Sequence, residues 1–208
     1  VRLTAIIVTA FALAGCASVA EQSADLAGQR SCCTAMSEFK FVPLPAKGVD
    51  VPLFPAYAPV YEFDGRKSYF APFIVSGSNV RSIDIESDLS GYRDLQFLAP
   101  AFLFLDRKHE PLALATPALR YEPPGIIRFG HMEGKVLVPE DAAFMVVLSA
   151  PASEAVSVDH PGTSTIFMMQ GNIPIVVPHR GKTAVYEPAP TGKLVLTPIA
   201  RESGSPVR

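Results

Sequence analysis

Between residues 67 and 149 the apolar and polar positions mostly alternate with a period of two, the repeat of a half-buried strand. In "NVRSIDIES", Ile83 and Ile85 alternate with Ser82, Asp84 and Glu86, so one face meets a core and the other meets water. "KSYFAPFIVSG", residues 67–77, is an aromatic and β-branched run closed by Ser76-Gly77. A nearly all-apolar strand starts at Ala101, and the chain turns at Asp106 to Glu110. Further strands are predicted near 119–122, 126–129, 134–138 and 143–149, punctuated by Gly125, Gly130, Gly134 and the turn Pro139-Glu140-Asp141. Val146, Val147 and Leu148 suit a central strand covered on both faces.

The flanks read differently. Residues 41–61 carry prolines at 43, 45, 52, 55 and 59, which forbids a helix and interrupts an inner strand. This stretch is expected to lie extended over the core, supply an edge strand, turn at Lys47-Gly48 and cover an edge that would otherwise template aggregation. Residues 32–40 can form a helical turn around Met36 and Phe39, and residues 17–31, small and polar, read as a tether with short helical character at most. After Ala150 the signal weakens to a short helix near 152–157, a loop at 159–164, and extended pieces at 183–187 and 193–198, the last returning to the sheet. Many short strands about ten residues apart favour a mostly β fold, an antiparallel β-sandwich of jelly-roll type, over alternating β-α units. The division expected is a signal peptide at 1–15, a lipidated tether at 16–38, the sandwich domain at 39–150, a C-terminal segment at 151–199 that rejoins it, and a flexible tail at 200–208.

The signal assignment rests on "VRLTAIIVTAFALAGCASVA". Arg2 precedes about a dozen mostly apolar residues, short of the roughly 20 that a spanning helix needs, and the pattern is that of a secretory leader. It ends in Leu13-Ala14-Gly15-Cys16, an aliphatic residue, two small ones and a cysteine, as in bacterial lipoproteins. Ala14 and Gly15 let a peptidase hold the backbone extended, and the Cys16 thiol is the nucleophile that accepts a diacylglyceryl group. Cleavage would leave Cys16 as a new N-terminus open to another acyl chain, and two or more chains anchor stably. With Ala17 rather than aspartate next, the expected location is the periplasmic side of the outer membrane of a Gram-negative cell.

Removal of residues 1–15 leaves 17 basic against 20 acidic residues, a side-chain charge of −3. The chain has no basic stripe and no aromatic stacking platform, so nucleic acid is a poor partner. With Cys16 acylated, only the neighbours Cys32 and Cys33 remain. Their Cα atoms must sit about 3.8 Å apart, closer than in ordinary bridges. A vicinal disulfide, two reduced thiols in apolar contact and pairing between molecules all stay open, whereas no second pair or well-spaced histidine completes a metal site. No cofactor is expected.

Catalytic patterns are weak. His109, His131, His160 and His179 show no helical pairing, and Ser157 with Asp159-His160 lacks a nucleophile elbow. Asp84 and Glu86 share a strand face about 6.6 Å apart, at the lower edge of the inverting-glycosidase separation. Ile83 and Ile85 take the buried side, leaving both carboxylates wet and neither held neutral for acid work. Among tyrosines 57, 61, 69, 92, 121 and 186, Tyr61 beside Glu62 and Tyr121 beside Glu122 are the candidate ligand-contacting pair of sites, as rings that could meet a sugar.

Read in order, "FLAPAFLFLDRKHEPL", "LRYEPPG", "MEGKVLVPEDAAFMVVLSAP" and "GNIPIVVPHRGK...TGKLVLTPI" resemble the maltose-operon periplasmic protein family (MalM), over about residues 39–199. The resemblance implies a non-enzymatic envelope protein accessory to maltose or maltodextrin uptake, with no catalytic residues to carry over. Its implied partners are a porin or sugar-binding protein and maltodextrin itself, in addition to the membrane lipid that the signal reading expects through Cys16. The chain departs from the family in carrying a lipoprotein signal where a plain cleaved one is usual, and in stopping soon after its final strand. The alternative is a structural or protein-docking lipoprotein without a sugar ligand.

Overall fold

The computed structural model describes residues 17–77, 79–90, 95–124, 130–149, 156–159, 165–170, 173–178 and 183–201. The N-terminal part forms helix α1 (Val19–Gly28), a 3-10 turn (Met36–Glu38), and strands β1 (Val42–Pro43), β2 (Val49–Leu53), β3 (Val60–Phe63) and β4 (Arg66–Ile74). Next come β5 (Val80–Ser90), β6 (Leu95–Leu98), β7 (Pro100–Leu105), β8 (Pro111–Ala115), β9 (Arg120–Glu122), β10 (His131–Leu137) and β11 (Phe144–Ser149). The chain continues through β12 (Val156–Asp159), β13 (Thr165–Gln170), β14 (Ile173–Pro178), β15 (Thr183–Ala189) and β16 (Gly192–Ala200). No helix among the described residues is long and apolar enough to cross a membrane.

The alternation in β5 turns Ile83 and Ile85 inward, and the two-sided apolar run of β7 turns Phe102 and Phe104 inward; all four are 1% exposed or less. These residues meet across the space between two sheets, so the architecture is a β-sandwich, as the strand pattern predicts. One sheet runs β1-β4-β11-β7-β8, with β3 also paired to β4. The other runs β12-β15-β6-β5-β10-β9, with β16 lying on β5 and β2 on β16. Between them pack Tyr69, Phe73, Met145 and Val147 from the first sheet and Leu53, Val136, Leu194 and Leu196 from the second. Each such side chain, once buried, stabilises by about 1.5–3 kcal/mol relative to exposure.

Both sheets are mixed rather than purely antiparallel. β1 runs parallel to β4 and β6 parallel to β15. A parallel pair needs a long crossover, and between β1 and β4 the chain visits the opposite sheet as β2. The proline-rich stretch thus does more than cover one edge: it supplies β1 and β3 to one sheet and β2 to the other. Pro52 is tolerated because β2 pairs only with β16 among the described residues. The turn before β2 closes as expected, with Gly48 at φ +90° and its amide donating to the Pro45 carbonyl.

Several boundaries differ from the sequence expectations. Residues 17–31 are not a loose tether, because α1 docks on the body through Leu26, which is 7% exposed. Residues 156–157 lie in β12, not in a helix, while residues 150–155 and the 126–129 strand fall outside the described residues. Position 200 belongs to β16 rather than to a tail, and the Arg201 amide donates to the Asn79 carbonyl. Strands β6, β8 and the β13–β14 hairpin have no counterpart in the sequence reading.

Candidate functional site

A concavity lined by amide and hydroxyl side chains lies under α1. Ser18 caps the helix: its Oγ accepts from the Glu21 amide at 3.3 Å, and Glu21 Oε2 accepts from the Ser18 amide at 2.8 Å. The Ser18 amide, and after it the Ser18 hydroxyl donating to Glu21 Oε2 at 3.0 Å, hold the Glu21 carboxyl below the usual range. At the other end, Lys67 Nζ on β4 donates to the Ala27 and Gln29 carbonyls at 2.7 and 2.5 Å. A cation there suits the negative end of the helix dipole.

The underside of α1 is polar. Gln22 Nε2 donates to Gln96 Oε1 at 2.7 Å and to the Ala17 carbonyl at 2.9 Å, and Thr191 Oγ1 donates to Gln22 Oε1. Gln96, 4% exposed within β6, also donates to the Ala17 carbonyl at 3.3 Å. Together with Asp25, Phe54, Pro55, Tyr69 and Ser90 these residues line a pocket of about 310 Å³. That is near the small end of the roughly 300–1,000 Å³ typical of small-molecule sites.

Tyr69 is one of its lining residues. The residue is 1% exposed, and its backbone amide donates to Ser149 Oγ at 3.1 Å. Its hydroxyl is buried and has no hydrogen-bond partner among the described residues. A buried hydroxyl left unpaired costs about 1–3 kcal/mol, and buried tyrosines ordinarily find a partner. Burial, with a smaller contribution from the Asp25 carboxylate, raises its pKa above the ordinary tyrosine value. The phenol is therefore a neutral donor and acceptor that shares the pocket lining with amide and hydroxyl side chains.

The residues singled out from the sequence lie elsewhere. Cys16 is outside the described residues. Cys32 and Cys33 are joined, with their sulfurs 2.22 Å apart, and half-buried Cys33 packs against an apolar layer on the outer face of the six-stranded sheet. Tyr61 belongs to that layer, its ring centre 5.0 Å from Phe39 and 4.8 Å from Phe63. Tyr121 is in a separate cluster on the eight-stranded sheet, stacked on Tyr186 at 5.3 Å. Gly130 makes room for it, since a Cβ there would come 2.9 Å from the Tyr121 hydroxyl. Tyr61 and Tyr121 are not brought together.

Asp84 and Glu86 point to the solvent side of β5, as the alternation predicts, and stand in a ladder of ion pairs. Lys135 Nζ lies 3.1 Å from Asp84, Arg120 reaches both Glu122 at 3.1 Å and Glu133, and Lys193 lies 3.0 Å from Asp50. His109 stacks on Phe144 at 4.5 Å, His131 is 9% exposed on β10, and His160 and His179 fall outside the described residues. Among the described residues no group of histidine, cysteine, aspartate and glutamate is arranged to hold a metal ion.

Sequence reasoning passed over Tyr69, Gln22, Gln96 and Thr191. One signal was present: Gln96 interrupts the apolar run "LQFLAP", and a polar side chain in a buried strand needs partners. Those partners, Gln22 and the Ala17 carbonyl, come from positions 74 and 79 residues earlier in the chain. In comparisons with known proteins, no family model, no curated protein and no solved structure matches this chain.

Proposed function

We propose that this protein is a non-enzymatic envelope lipoprotein, accessory to maltose or maltodextrin transport, that works by binding rather than by bond making. In this reading the mature chain hangs from lipid through acylated Cys16 on the periplasmic face of the outer membrane. There it presents its sandwich to saccharide and to a porin or sugar-binding protein. The observation that carries the reading is the pocket under α1, lined by Gln22, Gln96, Ser90, Thr191 and Tyr69, whose phenol has no hydrogen-bond partner among the described residues. Such groups serve recognition of a neutral, hydroxyl-rich molecule. The ordered segments that resemble the maltose-operon periplasmic family lend it further support.

Calorimetric titration of the full chain in detergent with maltose and maltohexaose tests it. Saturable heat in the millimolar range is expected, and no heat with no change in tyrosine signal would remove direct sugar contact. Cys16→Ser is expected to release the protein from the membrane fraction and to lose the lipid mass.

One observation favours the docking alternative. Edge strand β8 carries Leu112 and Leu114 at 43% and 63% exposure on its outer side. Crosslinking in intact cells from position 114 tests this surface, and a partner that is lost on Leu114→Lys would support it.

A further inference from the structure

We infer that the pocket beneath α1 holds a single neutral polyhydroxylated ring, the end unit of a saccharide chain, with the Tyr69 hydroxyl as its buried hydrogen-bonding residue and α1 as its cover. For the saccharide class this rests on the transport reading above; the location rests on the pocket alone.

Three observations converge. The cavity, about 310 Å³, accommodates one ring and not a length of oligosaccharide. Among the described residues its ionisable lining groups are Asp25 and the phenol, and a carboxylate in the wall disfavours an anionic ligand. Carboxamides, a carboxylate and hydroxyls instead offer paired donors and acceptors to vicinal hydroxyl groups, and Phe54 and Pro55 add an apolar wall for the carbon face of a ring. The third is the Tyr69 hydroxyl, which is out of contact with solvent and has no partner among the described residues.

The hydroxyl is reached only when α1 shifts. The helix is suited to that, being held by one buried side chain, Leu26, the Lys67 bonds to its last carbonyls and the Gln22 network. Segments with few buried apolar contacts open at low cost. A ring hydroxyl entering beneath the helix can pair with Tyr69, while Gln22 and Gln96 exchange their mutual bond for bonds to the ligand.

The test compares maltose, maltotriose, maltohexaose, galactose and myo-inositol on the full chain, wild type and Tyr69→Phe, by calorimetry. Amide exchange of residues 19–28 is followed with and without saturating sugar. The expected result is an affinity independent of chain length, weakened about tenfold by Tyr69→Phe as loss of one buried hydrogen bond implies, and altered exchange across α1 in the wild type. The exchange arm needs no variant and decides the matter if Tyr69→Phe does not fold. Affinity that climbs with chain length, is untouched by Tyr69→Phe and leaves α1 exchange unchanged would overturn the pocket while sparing the transport reading. Tyr69-dependent binding of galactose or inositol without maltose would keep the pocket and overturn the maltodextrin assignment. Absence of binding by every probe overturns both.

Discussion

The six-stranded sheet turns Phe70, Leu103, Leu105, Val146 and Leu148 away from the shared core and still buries them, each 9% exposed or less. The eight-stranded sheet turns Asp84, Glu86 and Asp88 outward, sets Lys135 against Asp84 and Lys193 against Asp88, and leaves the carboxylates partly wet. The difference lies in what covers each face. Cys33, Met36, Phe39 and Phe41 lie over the first sheet, and Phe39 sits 4.2 Å from the Phe70 ring. Among the described residues no comparable covering of apolar side chains lies over Asp84 and Glu86, and their strand keeps the alternation of a half-exposed sheet. An unbroken apolar strand such as "AFLFL" therefore marks a place where a third layer of chain is required, and the layer is supplied from before the first long strand. The segment following the proposed lipid anchor is thus structural throughout: first a helix over the pocket, then a covering for the sheet.

The largest effect that would break this comparison is on the covered face. Phe70→Ala is expected to cost about 3–5 kcal/mol, whereas Asp84→Ala on the opposite outer face should cost under about 1 kcal/mol, as exposed ion pairs do. Urea unfolding of the two variants checks this, and equal losses would mean that both faces are held in the same way. Next comes α1, where Leu26→Ala should lower local stability by about 2 kcal/mol. The readout is faster amide exchange in residues 19–28 with unchanged protection in β7 and β11; loss of protection everywhere would show that the helix is integral to the core.

Two titrations sharpen the contrast with smaller effects. Tyr186, 3% exposed, is an apolar island on the charged sheet, and burial, followed by its hydrogen bond with Tyr121, pushes its pKa up to about 12. A folded value raised above the unfolded one near 10 means that its contribution is complete below the unfolded value and is lost as the pH rises through about 12. A late phenolate step in alkaline absorbance, missing in Tyr186→Phe, is expected. At the exposed end, the hydrogen bond from Arg120 holds the Glu133 carboxyl below its usual range. Its small contribution is present above the unfolded value and disappears as the pH falls through the depressed folded value. The thermal midpoint of the wild type should therefore fall slightly more in acid than that of Arg120→Ala.

The sheet elements legible in the sequence were those set by local pattern. Ile83 and Ile85 against Asp84 and Glu86 announce both a strand and its inward face, and Val146, Val147 and Leu148 announce a strand covered twice. Lys47-Gly48 announces a turn because the position after Lys47 needs a positive φ. The β13–β14 hairpin carried a readable sign as well, Gly171-Asn172 between two apolar runs, which the weaker patterning of that region obscured. The docking of α1 had no such sign, since Leu26 is its one buried residue and the helix otherwise presents small and polar side chains.

What the chain determines by itself is therefore periodic or sequential: strands that alternate, turns that need glycine, and a cysteine placed after two small residues. Tertiary structure alone decided the pairing of β1 with β4 and β6 with β15, because parallel partners are selected by long crossovers that leave no local mark. It alone also brought Gln22, Tyr69, Gln96 and Thr191 around one cavity. A pocket is made by side chains that converge in space from distant positions, and the hydrophobic repeat along a single strand carries no information about which distant strand or helix will face it.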